Sequence, residues 1–438
     1  MKRSYVETVE FLFSQLPVFQ RDGAAAYKPG LETTLNFCAA IGNPHLQFKS
    51  IHVGGTNGKG SSSHSLASIL HEQGYKTGLY TSPHLLDFRE RIRINGEKIS
   101  EIEVVDAIKE WLPLIKKFKP TFFELTVALA FDHFARHKVD IAVIEVGMGG
   151  RLDSTNIIRP LLSLITNISL DHQFFLGETH ELIAREKAGI IKSEVPIVVS
   201  ERQNTSDFVF VQQSEANHSD LQFASDLIEV NDHGLKNGKR QVEVVLKENK
   251  QILDLELSLT GLYQLKNIKG VIAVCFKLNE LGIKIEMASI QLGVSNVQKN
   301  TGLLGRWQIL GQKPLIICDT AHNEDGVKEV ATQLLSYQYN RLWLIWGMVS
   351  DKEHKKIVDL LPTAALVVAT QPSLPRALPS GEMAAYFRAS GFITIEKKTV
   401  QESLEYVLQK ADKEDLIFVG GSTFTVADIP FEKYSSEF

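Results

Sequence analysis

Cysteine is scarce in this chain: three in 438 residues, at positions 38, 275 and 318. Thiols so few and so far apart supply neither a disulfide framework nor a CxxC metal site, and they suit a reducing compartment. Long apolar runs are missing too. The opening stretch MKRSYVETVEFLFSQLPVF begins basic, as an export signal would, but Glu7 and Glu10 interrupt its apolar part. No run approaches the roughly 18 residues that cross a membrane. The expectation is a cytoplasmic protein, neither exported nor anchored, with no membrane partner. Neither sign of charge dominates: 47 Lys and Arg against 52 Asp and Glu leave a net charge of -5, and there is no basic block. That disfavours a nucleic-acid surface, whose affinity rests on many phosphate contacts. Small-molecule substrates are the expected partners. Repeats and low-complexity segments are absent as well.

What is present is apolar content of 44% and a length that calls for two domains. Short apolar runs alternate with helical periods. KSIHV (49–53), KTGLY (76–80), DIAVIEV (140–146), LLSLITNI (161–168) and VPIVVS (195–200) read as strands, and helices start near Lys59, Ile102, Thr121 and Thr179. This pattern predicts a parallel sheet covered on both faces. RQVEVVLKENKQILDLELSL (240–259) reads as a hairpin turning about Glu248 and Asn249, followed by helices near Tyr263 and Glu286. The polar stretch SNVQKNTG (295–302) then separates a second, smaller alternation with strands at 314–320, 341–347, 365–371 and 415–421. The expected division is residues 1–296, a linker at 297–302, and residues 303–438.

HVGGTNGKGSSSHSLASIL, residues 52–70, holds the strongest chemical signal. A strand ending at Val53, a Gly-rich turn and a helix from Lys59 is the setting in which backbone N–H groups and a helix N-terminus cradle phosphate. The match to G-x-x-x-x-G-K-[ST] is imperfect, because Val53 replaces the first glycine and Gly60 the hydroxyl residue. The competing reading is a strand-to-helix turn with no ligand. With the usual hydroxyl ligand missing, another group must hold magnesium. Glu145 ends an apolar strand, His172 follows Asp171 after another, and Ser82 follows KTGLY. Singly, His172 and Ser82 also read as turn residues; the common place of all three at strand ends favours a metal cluster.

Seven stretches, GGTNGKGSS, TSPHLLDFRERIRING, FFELTVALAF, EVGMGGRLDSTN, NISLDHQFFLGET, IAREKAGIIK and DTAHNEDG, together resemble the folylpolyglutamate synthase/dihydrofolate synthase family of the Mur-ligase superfamily. The resemblance implies a P-loop, Mur-ligase-like central α/β domain with a mostly parallel sheet and a smaller Rossmann-like C-terminal α/β domain. It implies an ATP-dependent carboxylate–amine ligase that adds L-glutamate to 7,8-dihydropteroate and to folates through an acyl phosphate. The alternatives are folylpolyglutamate synthase activity alone, another Mur-type ligase, or a non-catalytic nucleotide-binding relative. A monomer is expected.

Residue by residue, the resemblance implies that Thr56, Asn57, Gly58, Lys59, Gly60 and Ser61 hold the ATP phosphates, and that Ser82, Glu145 and His172 hold magnesium, as two ions. Lys187 matches a lysine that family members carry as a carbamate; alone it reads as a solvated helix lysine. Across the domain interface, the implied nucleotide contacts are Asn267, Arg306 on the phosphates and Asp319 on the ribose side, and His322 would assist at the glutamate site. Thr121, Phe122, Phe123 and Glu124, with Leu152, Asp153 and Ser154, match pterin-side positions, although two aromatics at a helix start are ordinary core residues. Departures from the family pattern are Met148, Ser154, Glu324 and Thr33. Thr33 and the loop at 24–30 leave substrate selection near the N-terminus open.

Overall fold

The computed structural model describes residues 3–23, 28 and 30–434. The 24–30 loop therefore lies mostly outside the described residues. Thr33, on the helix Glu32–Ala40, accepts a hydrogen bond from Lys28 Nζ at 2.8 Å. Two compact units emerge, one of Met1–Leu259 with Tyr263–Leu303, the other of Thr260–Leu262 with Leu304–Phe438.

The first unit is built on an eight-stranded sheet: β1 (Lys49–Gly54), β2 (Thr77–Tyr80), β3 (Ile92–Ile94), β4 (Glu97–Lys98), β5 (Ile141–Glu145), β6 (Leu162–Ile165), β7 (Ile197–Val199) and β8 (Leu221–Phe223), in spatial order β4-β3-β2-β5-β1-β6-β7-β8. β1 lies parallel between β5 and β6, and only the β2–β3–β4 end is antiparallel. The apolar runs follow from burial on both faces. Along β5, Ile141 and Val143 join one core with the helices Lys59–Glu72 and Gln264–Glu280, whereas Ala142 and Ile144 join another with the helix Phe122–Arg136. The period of two in a strand divides them.

A three-stranded antiparallel sheet, β9 (Ile228–Lys236), β10 (Lys239–Leu246) and β11 (Ile252–Leu257), contains the expected hairpin between β10 and β11. The strands β3, β4, β8 and β9 were not expected from sequence. Most are very short, and β9 buries only Ile228 fully. The expected linker at 297–302 is corrected. Val297–Thr301 is a helix, and it is fastened to the Lys59–Glu72 helix: Asn300 Nδ2 donates to Glu72 Oε1 at 2.7 Å, and Thr301 Oγ1 lies 2.8 Å from His64 Nδ1. Specific side-chain contacts overrule a loop-like composition here.

The second unit carries six strands, β12 (Gln308–Gln312), β13 (Leu315–Cys318), β14 (Leu342–Trp346), β15 (Leu366–Ala369), β16 (Ile393–Glu396) and β17 (Leu416–Gly420), ordered β12-β13-β17-β14-β15-β16. All pairings but β12–β13 are parallel. The four expected strands form its centre, and the two unexpected ones, β12 and β16, are its edges. No described helix in either unit is long and apolar enough to cross a membrane.

Candidate active site

β1 leads directly into the Gly-rich turn, and Gly58, with φ 86°, bends the chain left-handed before the helix begins at Lys59. A side chain at position 58 would run into Oδ1 of Asn267, so the close approach of the Gln264–Glu280 helix demands glycine. Residues after β6 clasp the turn. The N–H groups of Thr56 and Asn57 donate to Asn167 O and Asn167 Oδ1, both at 2.8 Å, and Thr166 Oγ1 donates to Asn57 O at 2.6 Å. Ser61 Oγ accepts from Gln264 Nε2 at 3.0 Å, and Gln264 Oε1 accepts from Asn267 Nδ2 at 2.8 Å. Asn267 therefore belongs to the first unit, which corrects its expected place across the interface. Thr166, Asn167 and Gln264 are supports that sequence reasoning missed; the polar run TNIS directly after an apolar strand is the signal for the first two, and Gln264 has none.

Two lysines converge on this turn. Lys59 Nζ donates to Gly55 O and Thr56 O, each at 3.0 Å, and Lys187 Nζ donates to the same Gly55 O at 2.8 Å. Lys187 lies on the helix His180–Ala188, capped by Thr179, and is only 4% exposed. The solvated-lysine reading is therefore wrong. Burial, reinforced by the Lys59 charge and opposed by Asp171 and Asp153, pushes the Lys187 ammonium down to about 7. The lowered pKa raises the share of unprotonated amine.

β2 and β5 are parallel neighbours, so their C-terminal ends emerge together. There the buried Glu145 accepts the Ser82 N–H on Oε2 at 3.0 Å. Glu145 also stands in register with Val53 of β1, level with the entry to the turn. His172 is reached differently. β6 ends at Ile165, short of the expected 168, and His172 sits on the following loop at φ 51° with its N–H on Asp171 Oδ1 at 2.9 Å and its Nε2 3.9 Å from Asp171 Oδ2.

The pterin-side residues divide. Thr121 and Glu124 form a capping box: Glu124 N–H donates to Thr121 Oγ1 at 3.2 Å and Thr121 N–H to Glu124 Oε2 at 2.7 Å. Glu124 Oε1 is buried with no hydrogen-bond partner. An unsatisfied buried acceptor costs about 1–3 kcal/mol, which a ligand donor would relieve. Phe122 is corrected to a core residue: it is buried, with its ring 4.7 Å from Phe13 and 5.7 Å from Phe88. Phe123 is half-buried, and its ring packs so closely on Gly147 that a side chain there would strike it. Asp153 is clasped, with Oδ2 accepting from Met148 N–H and Oδ1 from Thr155 N–H, both at 2.9 Å; burial raises its pKa. Leu152 is half-buried beside it and Ser154 buried.

In the second unit, Asp319 follows β13 and accepts Trp307 N–H on Oδ2 at 2.7 Å and Ala321 N–H on Oδ1 at 2.8 Å, so it fixes its own loop. Arg306 Nη1 lies 3.3 Å from Gly305 O. His322 Nδ1 is 3.0 Å from Thr320 O. A carbonyl only accepts, so the neutral ring carries its proton on Nδ1 and Nε2 is the basic nitrogen.

Two family models match the chain: Mur ligase middle domain over residues 53–275 and Mur ligase, glutamate ligase domain over residues 305–423. A bifunctional folylpolyglutamate synthase/dihydropteroate synthase of Haloferax volcanii is 33% identical over 434 residues, 97% of this chain and 50% of that protein, so the chain spans about half the length of that relative. The dihydrofolate synthase/folylpolyglutamate synthase of Bacillus subtilis is 32% identical over 421 residues, covering 92% of this chain and 94% of that one. Among solved structures, E. coli FolC in complex with DHPP and ADP aligns with a TM-score of 0.85 at 25% identity, covering 100% of this chain and 99% of that one. With two Mur ligase family models matched and a relative 32% identical over nearly its whole length, this chain belongs to the folylpolyglutamate synthase/dihydrofolate synthase family of Mur ligases.

Proposed function

We propose that this chain is an ATP-dependent ligase that joins the amine of L-glutamate to the carboxylate of 7,8-dihydropteroate and, separately, of folates, acting as a cytoplasmic monomer. The observation that carries the reading is the Gly-rich turn at the end of β1, with two lysine amines on Gly55 O and Glu145 level with its entry. Such a turn offers backbone N–H groups and a cation to a polyphosphate, and a carboxylate for its counter-ion.

In the proposed reaction a substrate carboxylate oxygen attacks the γ-phosphorus and ADP leaves. The glutamate amine then attacks the acyl carbon, loses a proton, and phosphate departs with the carboxylate oxygen. Lys59 and the N–H groups of 58–61 orient the phosphates, while those of Thr56 and Asn57 hold the turn to Asn167. Glu145 and Ser82 offer oxygen donors and His172 a nitrogen, a set that fits magnesium, which when bound neutralises charge on the transferring phosphoryl group. Asn267 and Arg306 are proposed nucleotide contacts, Asp319 a ribose contact, and His322, through Nε2, an acceptor near the glutamate amine. Lys187 is the proposed carbamate. Its neutral amine attacks carbon dioxide, an N–C bond forms and a proton leaves to water, turning a cation into an anion. On the pterin side, Phe123 gives an aromatic edge and Glu124 Oε1 an acceptor for ring N–H donors.

Purified protein with ATP, Mg2+ and L-glutamate is expected to release ADP when given 7,8-dihydropteroate and, in a separate assay, a reduced folate. Glu124→Gln keeps the capping box, since glutamine serves at that position, but places an amide N–H donor where the buried acceptor Glu124 Oε1 stands. It should raise KM for dihydropteroate at least tenfold with little change in KM for ATP. Release with folate alone would identify a single-function folylpolyglutamate synthase, and release with neither would overturn the proposal.

A further inference from the structure

We propose that Glu103, His133 and His137 form a second divalent-cation site, suited to zinc, at the opposite end of the Phe122–Arg136 helix from Thr121. Among the described residues these are the only three His, Cys, Asp or Glu side chains whose ligand atoms all lie within 4.8 Å of one another. One oxygen does the gathering. Glu103 Oε1 is 3.3 Å from His133 Nδ1 and 2.6 Å from His137 Nε2. The other, Oε2, is engaged by Ser100, which donates its N–H at 3.2 Å and its hydroxyl at 2.6 Å. The carboxylate is thereby held by the cap of its own helix, Glu101–Phe118, with its second oxygen presented to two imidazoles on the neighbouring helix.

The spacing is that of a metal site. His133 and His137 are four residues apart, so both rings lie on one face at the helix end, with centroids 4.4 Å apart. Zinc bonds of about 2.0–2.1 Å in tetrahedral geometry place ligand atoms about 3.3 Å from one another. The Glu103–His133 pair already has that separation. The Glu103–His137 pair must open by less than about 1 Å, and both of those side chains are two-fifths exposed, which leaves them room to move. Two imidazoles with one carboxylate favour zinc and its transition-metal neighbours over magnesium, and three protein ligands leave a fourth position for water. The ion would pin the Glu101–Phe118 helix to the Phe122–Arg136 helix. The helix places His133 eleven residues beyond Phe122, roughly 16 Å along its axis, remote from the capping box that carries Glu124.

The test uses the metal-stripped chain in excess Mg2+, which fills the site proposed at Ser82, Glu145 and His172, titrated with Co2+ and then Zn2+. The expected result is a visible d–d spectrum of four-coordinate cobalt that saturates at one equivalent, is bleached by Zn2+, and accompanies a rise in Tm. His137→Ala and Glu103→Gln should each remove the spectrum and weaken Zn2+ binding at least tenfold, while ADP release stays at the parent level. Glu103→Gln retains the capping box and so keeps the fold intact. A parent protein without the cobalt spectrum, or a spectrum and zinc affinity that survive both substitutions, would show that the three side chains form only a hydrogen-bonded cluster.

Discussion

The carbonyl oxygen of Gly55 receives two lysine amines, and burial, reinforced by the Lys59 charge, lowers the pKa of Lys187. Because the folded chain holds this ammonium near 7 against an ordinary 10.5, the unfolded chain binds more protons between those values. Burial of Lys187 therefore destabilises the fold most below about pH 7, and the loss is recovered as pH rises toward 10.5. Replacement by methionine removes the titration while keeping an unbranched side chain. In buffer free of carbon dioxide, the parent should gain on Lys187→Met by up to about 1.4 kcal/mol per pH unit above pH 7. Urea unfolding midpoints at pH 6, 7, 8 and 9 measure this. A stability difference that does not change with pH would mean that Lys187 is not an abnormally acidic buried amine. A residue that weakens the fold yet sits at the phosphate turn is where function is expected to override stability.

At the scale of elements, the β1–turn–helix unit was legible because its signals agree: a buried apolar strand, positive-φ glycine and a helix start at Lys59. The capping residues Thr121 and Thr179 likewise mark their helices at the expected positions. Edge strands such as β16 were not legible, because half-exposed positions leave no apolar run. Phe122 and Phe123 were inseparable in sequence; neighbours on a helix point about 100° apart, and only packing decides which meets the core. SNVQKNTG read as a linker because Asn, Lys and Gly are loop-like in composition. Its helix instead depends on partners distant in sequence, Glu72 and Ser68 for Asn300, and His64 for Thr301. Asn300→Ala should accordingly cost roughly 1 kcal/mol, since it removes hydrogen bonds to the half-buried Glu72 carboxylate and to a Ser68 hydroxyl that keeps its bond to Gly293 O, while KM for ATP stays unchanged. Chemical denaturation beside steady-state kinetics checks both parts. An unaltered unfolding midpoint would return this segment to the status of a tether.

For the whole molecule, two α/β units and a net charge of only -5 accompany the proposed ligase reaction on small, charged substrates. In that proposed reaction ATP activates a carboxylate as an acyl phosphate before the glutamate amine attacks. Carboxylate oxygen must then leave with phosphate, whichever substrate supplies it. The direct measurement uses 7,8-dihydropteroate labelled with 18O in its carboxylate, incubated with the purified chain, Mg2+, ATP and L-glutamate, with the released phosphate read by 31P NMR. One 18O atom is expected in inorganic phosphate for each amide formed, as the acyl-phosphate route requires. Amide formation that releases unlabelled phosphate would contradict it.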